Sequence, residues 1–384
     1  MFGKRITLFS LLGFEVRVDA SWALLAVLIT WTLAAGVFPA YYPGLPTASY
    51  WAMGLLGALG LFFSIVFHEM SHSLVARHYG LPMGGITLFL FGGVAEMRDE
   101  PESPRVEFLM AIAGPIASIV LGVAFYAVAL IAEQTGAAQP VLGVLLYLGA
   151  INIVLAVFNM VPAFPLDGGR VLRAALWHWK GNLRQATRIA SNFGSGFGIL
   201  LIVLGLLNII QGNFIGGMWW FLIGLFVRGA AAMSYQQVLI NQGFEGVPVR
   251  RIMNADPVSV PPRVSIADLV SEYFYKYHYK AYPVTENGRL LGYVSSREVK
   301  ALPRERWSGT TVAEIMTRVS ADNTVAPDAD ALKVMRHMNQ TGNSRLLVAD
   351  GGKLLGIVSL KDMMNYLFLK LEFEGDEKLN LPGA

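Results

Sequence analysis

At 384 residues, with 54% hydrophobic and 15% charged side chains and a positive mean hydropathy, the chain lies outside the soluble globular range and belongs in a lipid bilayer. The formal net charge of +3 is small, and the basic residues sit beside apolar runs instead of in an aromatic-interleaved patch, which argues against a nucleic-acid partner. The absence of cysteine excludes disulfides and thiolate ligands, so any metal must be held by His and carboxylates, and it fits a reducing compartment.

The apolar excess ends near Met233; from Gln236 onward the charge density and alternation are those of a water-soluble domain. Near the N-terminus the alternating Phe14-Glu15-Val16-Arg17-Val18 reads as a short strand. Six stretches then approach the roughly 20 apolar residues that cross about 30 Å of hydrocarbon: 21–38, 50–76, 106–132, 141–160, 189–210 and 215–233. The first starts late and exceeds an h-region, so it is read as a retained anchor instead of a cleaved signal. The last contains Arg228. Residues 83–97 are apolar but too short to span, carry Gly84, Gly85, Gly92 and Gly93, and read as a strand or hairpin at the inner face. Such an element either pairs an extended segment along its edge or is purely structural.

Lysine and arginine give the orientation, because short cytoplasmic loops carry the excess of them. Lys4, Arg5 and Arg17 precede the first span; Arg77, Arg98 and Arg105 lie between the second and third; Arg170, Arg173, Lys180, Arg184 and Arg188 lie between the fourth and fifth; Arg250 and Arg251 follow the sixth. The alternate loops, 39–49, 133–140 and 211–214, have none. Both termini are therefore expected in the cytoplasm, at the plasma membrane, with the second and fourth spans running inward.

Inside the second span stands His68-Glu69-Met70-Ser71-His72, in which two histidines four residues apart share a helical face and can reach a single Zn²⁺, with Glu69 beside them as the base. Ionisable groups in an apolar span are costly and mark function. If the span begins at Tyr50, His68 lies about 27 Å along it, near the cytoplasmic boundary, where water reaches a site some 5 to 10 Å deep (rough values). Two histidines leave a catalytic zinc one protein ligand short, and Asp167 is the candidate third. It lies in Asn159-Met160-Val161-Pro162-Ala163-Phe164-Pro165-Leu166-Asp167-Gly168-Gly169-Arg170, at the inner end of the fourth span and so at the same depth. Pro162 and Pro165 break the helix, and Gly168-Gly169 are expected to permit a sharp turn that aims the carboxylate inward. His78 and His178 fall near the interface and need no such role.

HEMSH in one span and the NxxPxxPLDGGR run after another resemble the site-2 protease family of intramembrane zinc metalloproteases, and Phe91-Gly92-Gly93 and Ala113-Gly114-Pro115 add to the likeness. The resemblance implies His68, His72 and Asp167 as zinc ligands, Glu69 as general base, Asn159 as a polar group near the substrate carbonyl, and the second, third and fourth spans as the catalytic core. It further implies a single-span membrane protein as substrate, in a range covering membrane-tethered transcription factors, anti-sigma factors and signal-peptide remnants.

After Val249 an internal repeat appears: Arg251-Ile252-Met253 returns as Glu314-Ile315-Met316, and Leu291-Gly292-Tyr293-Val294-Ser295 as Leu355-Gly356-Ile357-Val358-Ser359. Each copy offers a helical segment (267–277, 329–338) and then a strand (281–284, 345–348). The pattern is similar to a tandem pair of CBS domains, which implies adenine-nucleotide binding, such as ATP, with Ser359 and Asp362 of Ser359-Leu360-Lys361-Asp362 at the ribose. The first copy departs, with Ser295-Ser296-Arg297-Glu298. Many such pairs only pack or dimerise, and a homodimer through them is the accompanying expectation.

The expected fold is a polytopic α-helical membrane protein of about six transmembrane helices with a C-terminal α/β tandem CBS domain pair. Its divisions are 1–235 (transmembrane metalloprotease), 236–248 (linker), 249–306 and 307–370 (the two CBS copies) and 371–384 (tail). The alternative is a CBS-regulated ion or solute transporter, which would spread polar groups along a pathway instead of gathering them in HEMSH and PLDGG at one depth.

Overall fold

The computed structural model describes residues 6–89, 92–97 and 101–374. Phe91 of the Phe-Gly-Gly mark, the orientation cations Lys4, Arg5 and Arg98, and positions 375–384 of the expected tail lie outside the described residues. The chain divides into two compact units between Gln236 and Gln237.

In the first unit, six helices among the described residues are long and apolar enough to cross a membrane. They are α1 (Ala20–Tyr41), α2 (Thr47–His78), α3 (Pro104–Gln134), α4 (Gln139–Asn159) and, after the shorter α5 (Asp167–Lys180), α6 (Leu183–Ile210) and α7 (Phe214–Phe244). Large apolar side chains such as Leu59, Val120, Leu130, Val157 and Ile210 face outward, as expected of helices whose outer solvent is lipid. The ends have local causes. Asp19 caps α1 by accepting from Ser21 N (2.9 Å), and Ser103 with Pro104 starts α3. Gly181, at φ 66, ends α5, and Asn182 then caps α6 through Gln185 N (3.0 Å). The 32 residues of α2 reach about 48 Å, more than the hydrocarbon thickness, and HEMSH lies in its C-terminal half.

The region read as a cytoplasmic loop after the fourth span contains α5, and the fourth span ends one residue before Met160. Two of the cations counted for orientation, Arg173 and Arg184, are buried. Within 83–97, β3 (Met83–Phe89) and β4 (Gly92–Met97) pair antiparallel. They join β1 (Ile6–Leu11) and β2 (Phe14–Val18) in a sheet of order β1-β2-β3-β4, with β2 parallel to β3 through Val16↔Ile86 and Val18↔Leu88. Val16, Val18, Ile86 and Leu88 pack with Val66 and Met70, fixing the sheet to the helix that bears the histidines.

The helix α7 runs through positions 236–244 of the expected linker, and its last eight residues belong to the second unit, where Phe244 is buried. That unit has a sheet of order β5-β6-β10-β9-β8, from β5 (Ala281–Glu286), β6 (Arg289–Ser295), β8 (Thr324–Val325), β9 (Arg345–Asp350) and β10 (Lys353–Ser359), with β7 (Thr317–Arg318) against β6. The two hairpins β5-β6 and β9-β10 are the repeat seen in the sequence. Helical residues 266–277 and α8 (Ser296–Ala301) flank the first hairpin; α9 (Ala331–Thr341) and α10 (Leu360–Glu374) flank the second. The segment opening each copy packs into the other: Val249 and Ile252 join Val334, Leu346 and Val358, whereas Val312 joins Val260, Ile266 and Val284. Neither copy closes its own core, which makes the pair one folding module.

Candidate active site and metal centre

His68 and His72, one turn apart on α2, both turn inward, and the peptide after α4 brings Asp167 to them. His68 Nε2 lies 3.0 Å and His72 Nε2 3.2 Å from Asp167 Oδ2, and the two Nε2 atoms are 3.2 Å apart. All three residues are buried, and this His-His-Asp group could hold a metal ion. Donors on a tetrahedral zinc, bonded at roughly 2.0–2.1 Å, stand about 3.3 Å from one another, so the spacing fits. Two neutral nitrogens and one carboxylate also leave a fourth position open, as in catalytic zinc sites.

The outer ring nitrogens are engaged. His72 Nδ1 faces the carbonyl of Met110 at 2.6 Å; a carbonyl only accepts, so Nδ1 carries the proton and Nε2 offers its lone pair to the centre. His68 Nδ1 faces Ser118 Oγ at 2.8 Å. Both partners belong to α3, and Gly114 lies between them. A Cβ at 114 would collide with the Nε2 atoms of both histidines, which gives the Ala-Gly-Pro mark its physical reason. The sequence reading reached Gly114 only through resemblance. It missed Ser118 and the Met110 carbonyl, although Ser118 sits one turn beyond Gly114.

Asp167 is aimed differently from expectation. Gly168 and Gly169 make no sharp turn; they lie in the first turn of α5, with no left-handed φ. Their missing side chains instead admit the backbone of 160–164, since a Cβ at 168 would strike Met160 and Val161 and one at 169 would strike Ala163 and Phe164. The reversal is made by 160–166, where the Phe164–Pro165 peptide is cis, and Asp167 emerges as the first residue of the next helix.

Glu69, between the histidines in sequence, is partly buried and lines a cavity of about 300 Å³ together with His68 and Asn159. Asn159 donates from Nδ2 to Leu155 O at 3.0 Å. The cavity is also walled by Leu25 of α1 and by Trp219, Ile223 and Phe226 of α7, so the site draws on helices beyond the second, third and fourth. Gly93 of β4 lies so close that a Cβ there would meet Glu69 Cγ at 2.7 Å. His78 and His178 are exposed and stand outside the cluster.

In the second unit, Ser359 and Asp362 line a cleft of about 510 Å³ with Tyr277, Tyr279, Lys280, Arg345 and Lys361. Asp362 Oδ2 accepts from both Ser359 N (3.0 Å) and Ser359 Oγ (2.6 Å), and Asp362 N donates back to Ser359 Oγ (3.2 Å). Ser295 and Glu298 repeat this reciprocal cap beside a smaller cleft of about 240 Å³.

A buried metal triad, one member of which shares a cavity with an acidic side chain among membrane-crossing helices, defines a metalloprotease that works inside the bilayer. The comparisons with known proteins agree. The model of peptidase family M50 matches residues 56–139 and 128–204, and that of the CBS domain matches 249–304 and 312–369. The chain is 34% identical to Rip3 of Mycobacterium tuberculosis over 353 residues, covering 91% of this chain and 90% of that protein. It is 35% identical to the zinc metalloprotease MJ0392 of Methanocaldococcus jannaschii over 320 residues, 82% of this chain and 86% of that protein. A solved site-2 protease from Methanocaldococcus jannaschii aligns with a TM-score of 0.42 at 29% identity, over 60% of this chain and 95% of its own. The chain belongs to peptidase family M50, the site-2 proteases, and is an intramembrane zinc metalloprotease carrying a CBS pair.

Proposed function

We propose that the protein cleaves single-span membrane proteins within their transmembrane segments near the cytoplasmic face of the plasma membrane, with His68, His72 and Asp167 holding one Zn²⁺. The observation that carries this is the convergence of three donor atoms in one buried cluster, of which His68 lines, together with Glu69, a cavity walled by spanning helices. Zinc held there would polarise the scissile carbonyl and lower the pKa of water at the site. Glu69 takes a proton from the attacking water on its carboxylate and returns it to the leaving amine. Asn159 has one amide hydrogen committed to Leu155 O, which leaves the other for the oxyanion. The substrate helix unwinds before its peptide bond reaches the cavity, and β4, last in its sheet and beside Glu69, offers an edge for the extended segment. The lysine and arginine pattern supports cytoplasmic termini.

Cleavage of a labelled single-span substrate by the purified protein in lipid nanodiscs tests this. Glu69→Gln should abolish cleavage with zinc still bound, and a zinc chelator should stop the unsubstituted enzyme. Turnover by the purified variant would refute the role of Glu69, and proteolysis indifferent to chelation would remove the metal.

The larger cleft of the second unit favours a second reading, that an adenine nucleotide such as ATP binds there and regulates cleavage. Lys280, Arg345 and Lys361 supply cations for phosphates, Tyr277 and Tyr279 apolar faces for a base, and Ser359 and Asp362 polar groups for a ribose. Homodimerisation through the CBS pair belongs to this reading, and the mass of the detergent-solubilised protein with and without nucleotide tests it.

A further inference from the structure

One buried ion pair takes no part in the chemistry above. Glu107 on α3 is 0% exposed and Arg173 on α5 is 5% exposed. Arg173 Nε donates to Glu107 Oε1 at 2.6 Å, Nη2 reaches the same oxygen, and the guanidinium lies over the Phe164 ring, 5.0 Å from its centroid. Glu107 Oε2 is buried and has no hydrogen-bond partner among the described residues. As a way of holding two helices together this is wasteful, since apolar side chains of similar volume do so without desolvating two charges and stranding a carboxylate oxygen.

The placement of the pair accounts for its retention. Glu107 stands one turn before Met110, whose carbonyl fixes the ring of His72. Arg173 stands six residues after Asp167 on the same helix, about 9 Å away. Phe164, beneath the guanidinium, belongs to the reversal that delivers Asp167. The guanidinium, carried by α5, thus contacts both α3 and the 160–166 reversal, the pieces that hold the ring of His72 and deliver Asp167. An apolar contact tolerates sliding by an ångström or so, whereas a charged fork on one carboxylate is directional.

We propose that Glu107–Arg173 is a positioning pair that registers Asp167 against His68 and His72; this rests on the reading of Asp167 as a metal ligand. The test uses the full chain in detergent, with Zn²⁺ affinity measured by chelator competition and thermal unfolding measured without metal. Glu107→Met with Arg173→Met, an apolar replacement of similar volume, should unfold at or above the temperature of the unsubstituted protein yet bind Zn²⁺ about 10–100-fold more weakly. On an Asp167→Ala background the same double substitution should cause no further loss, because the ligand it positions is gone. Arg173→Lys keeps the buried charge without the fork and should weaken Zn²⁺ binding several-fold with unfolding unchanged; it decides the matter if the double variant does not fold. Zn²⁺ affinity within twofold of the unsubstituted protein in the apolar or lysine variant, or an equal loss on the Asp167→Ala background, overturns the positioning role. If Asp167→Ala alone binds Zn²⁺ normally, the ligand reading itself falls, a result distinct from failure of the pair.

Discussion

Ser118 Oγ stands 2.8 Å from Nδ1 of His68, on the side of the ring away from Asp167. By accepting the Nδ1 proton it would leave Nε2 bare and hold the ring in plane, the service that Met110 O performs for His72. Ser118→Ala should therefore weaken zinc binding by roughly tenfold, the lower end of the range for such outer partners. Chelator competition on the purified variant checks this, and an unchanged affinity would show that packing alone orients His68.

Gly114 is a tighter constraint. Alanine there needs the space occupied by both Nε2 atoms, so either α3 retreats or the rings rotate off the centre. The remainder of α3 has no reason to unfold, because alanine is a better helix former than glycine. Gly114→Ala should give a protein of normal helical content whose cleavage rate falls by about 10²-fold or more, as expected when a reacting centre shifts by an ångström. Circular dichroism beside the cleavage assay separates this from a folding defect, and normal cleavage would remove the close-approach argument.

Gly114 also marks where sequence reasoning stops. The histidines were legible because residues four apart on a helix share a face whatever surrounds them, and Asp167 because the lysine and arginine pattern runs the second and fourth spans in the same direction, a motif at the end of each. The six spans and the CBS repeat were legible for the same reason, being periodic patterns within contiguous segments. Ser118, Met110 O, the Glu107–Arg173 pair and the walls from α1 and α7 are contacts between helices distant in sequence, and no local period encodes them. The strand β1 escaped too: all six of its residues are exposed, so it lacks the one-sided burial that makes a strand visible as alternation. Gly168 and Gly169 suggest conformational freedom in the sequence but serve through their lack of bulk, a distinction that depends on packing.

One turn before His68, Ser64 Oγ accepts from Asn152 Nδ2 of α4 at 2.9 Å; the same amide donates to Leu148 O, and Asn152 Oδ1 is buried with no hydrogen-bond partner among the described residues. An interhelical bond of this kind contributes about 0.6 kcal/mol on average, up to roughly 1.7. The two truncations should therefore differ. Ser64→Ala leaves the amide with one fewer partner and should destabilise by about 1 kcal/mol. Asn152→Leu removes the donor together with its stranded oxygen and should cost less than Ser64→Ala. Thermal unfolding of both variants in one detergent checks the order, and the reverse order would mean that Asn152 Oδ1 has a partner of its own.

The two clefts of the CBS pair differ in volume, about 510 Å³ against about 240 Å³, although each is built on the same serine-carboxylate cap. Only the larger has two tyrosines on its wall, and a nucleotide needs room for a base, a ribose and phosphates at once. Titration calorimetry of the full chain should then show one ATP per chain, not two. Lys361 lines only the larger cleft and Arg297 only the smaller. A charge-assisted phosphate contact is worth about 1.5–3 kcal/mol, so Lys361→Ala should weaken ATP binding by roughly tenfold or more, while Arg297→Ala should leave it unchanged. Asp362→Ala is the poorer probe, since it also removes the cap of α10, worth about 1 kcal/mol. Equal losses from Lys361→Ala and Arg297→Ala would mean that both clefts are filled, and no heat with ATP, ADP or AMP would leave the pair as a packing module.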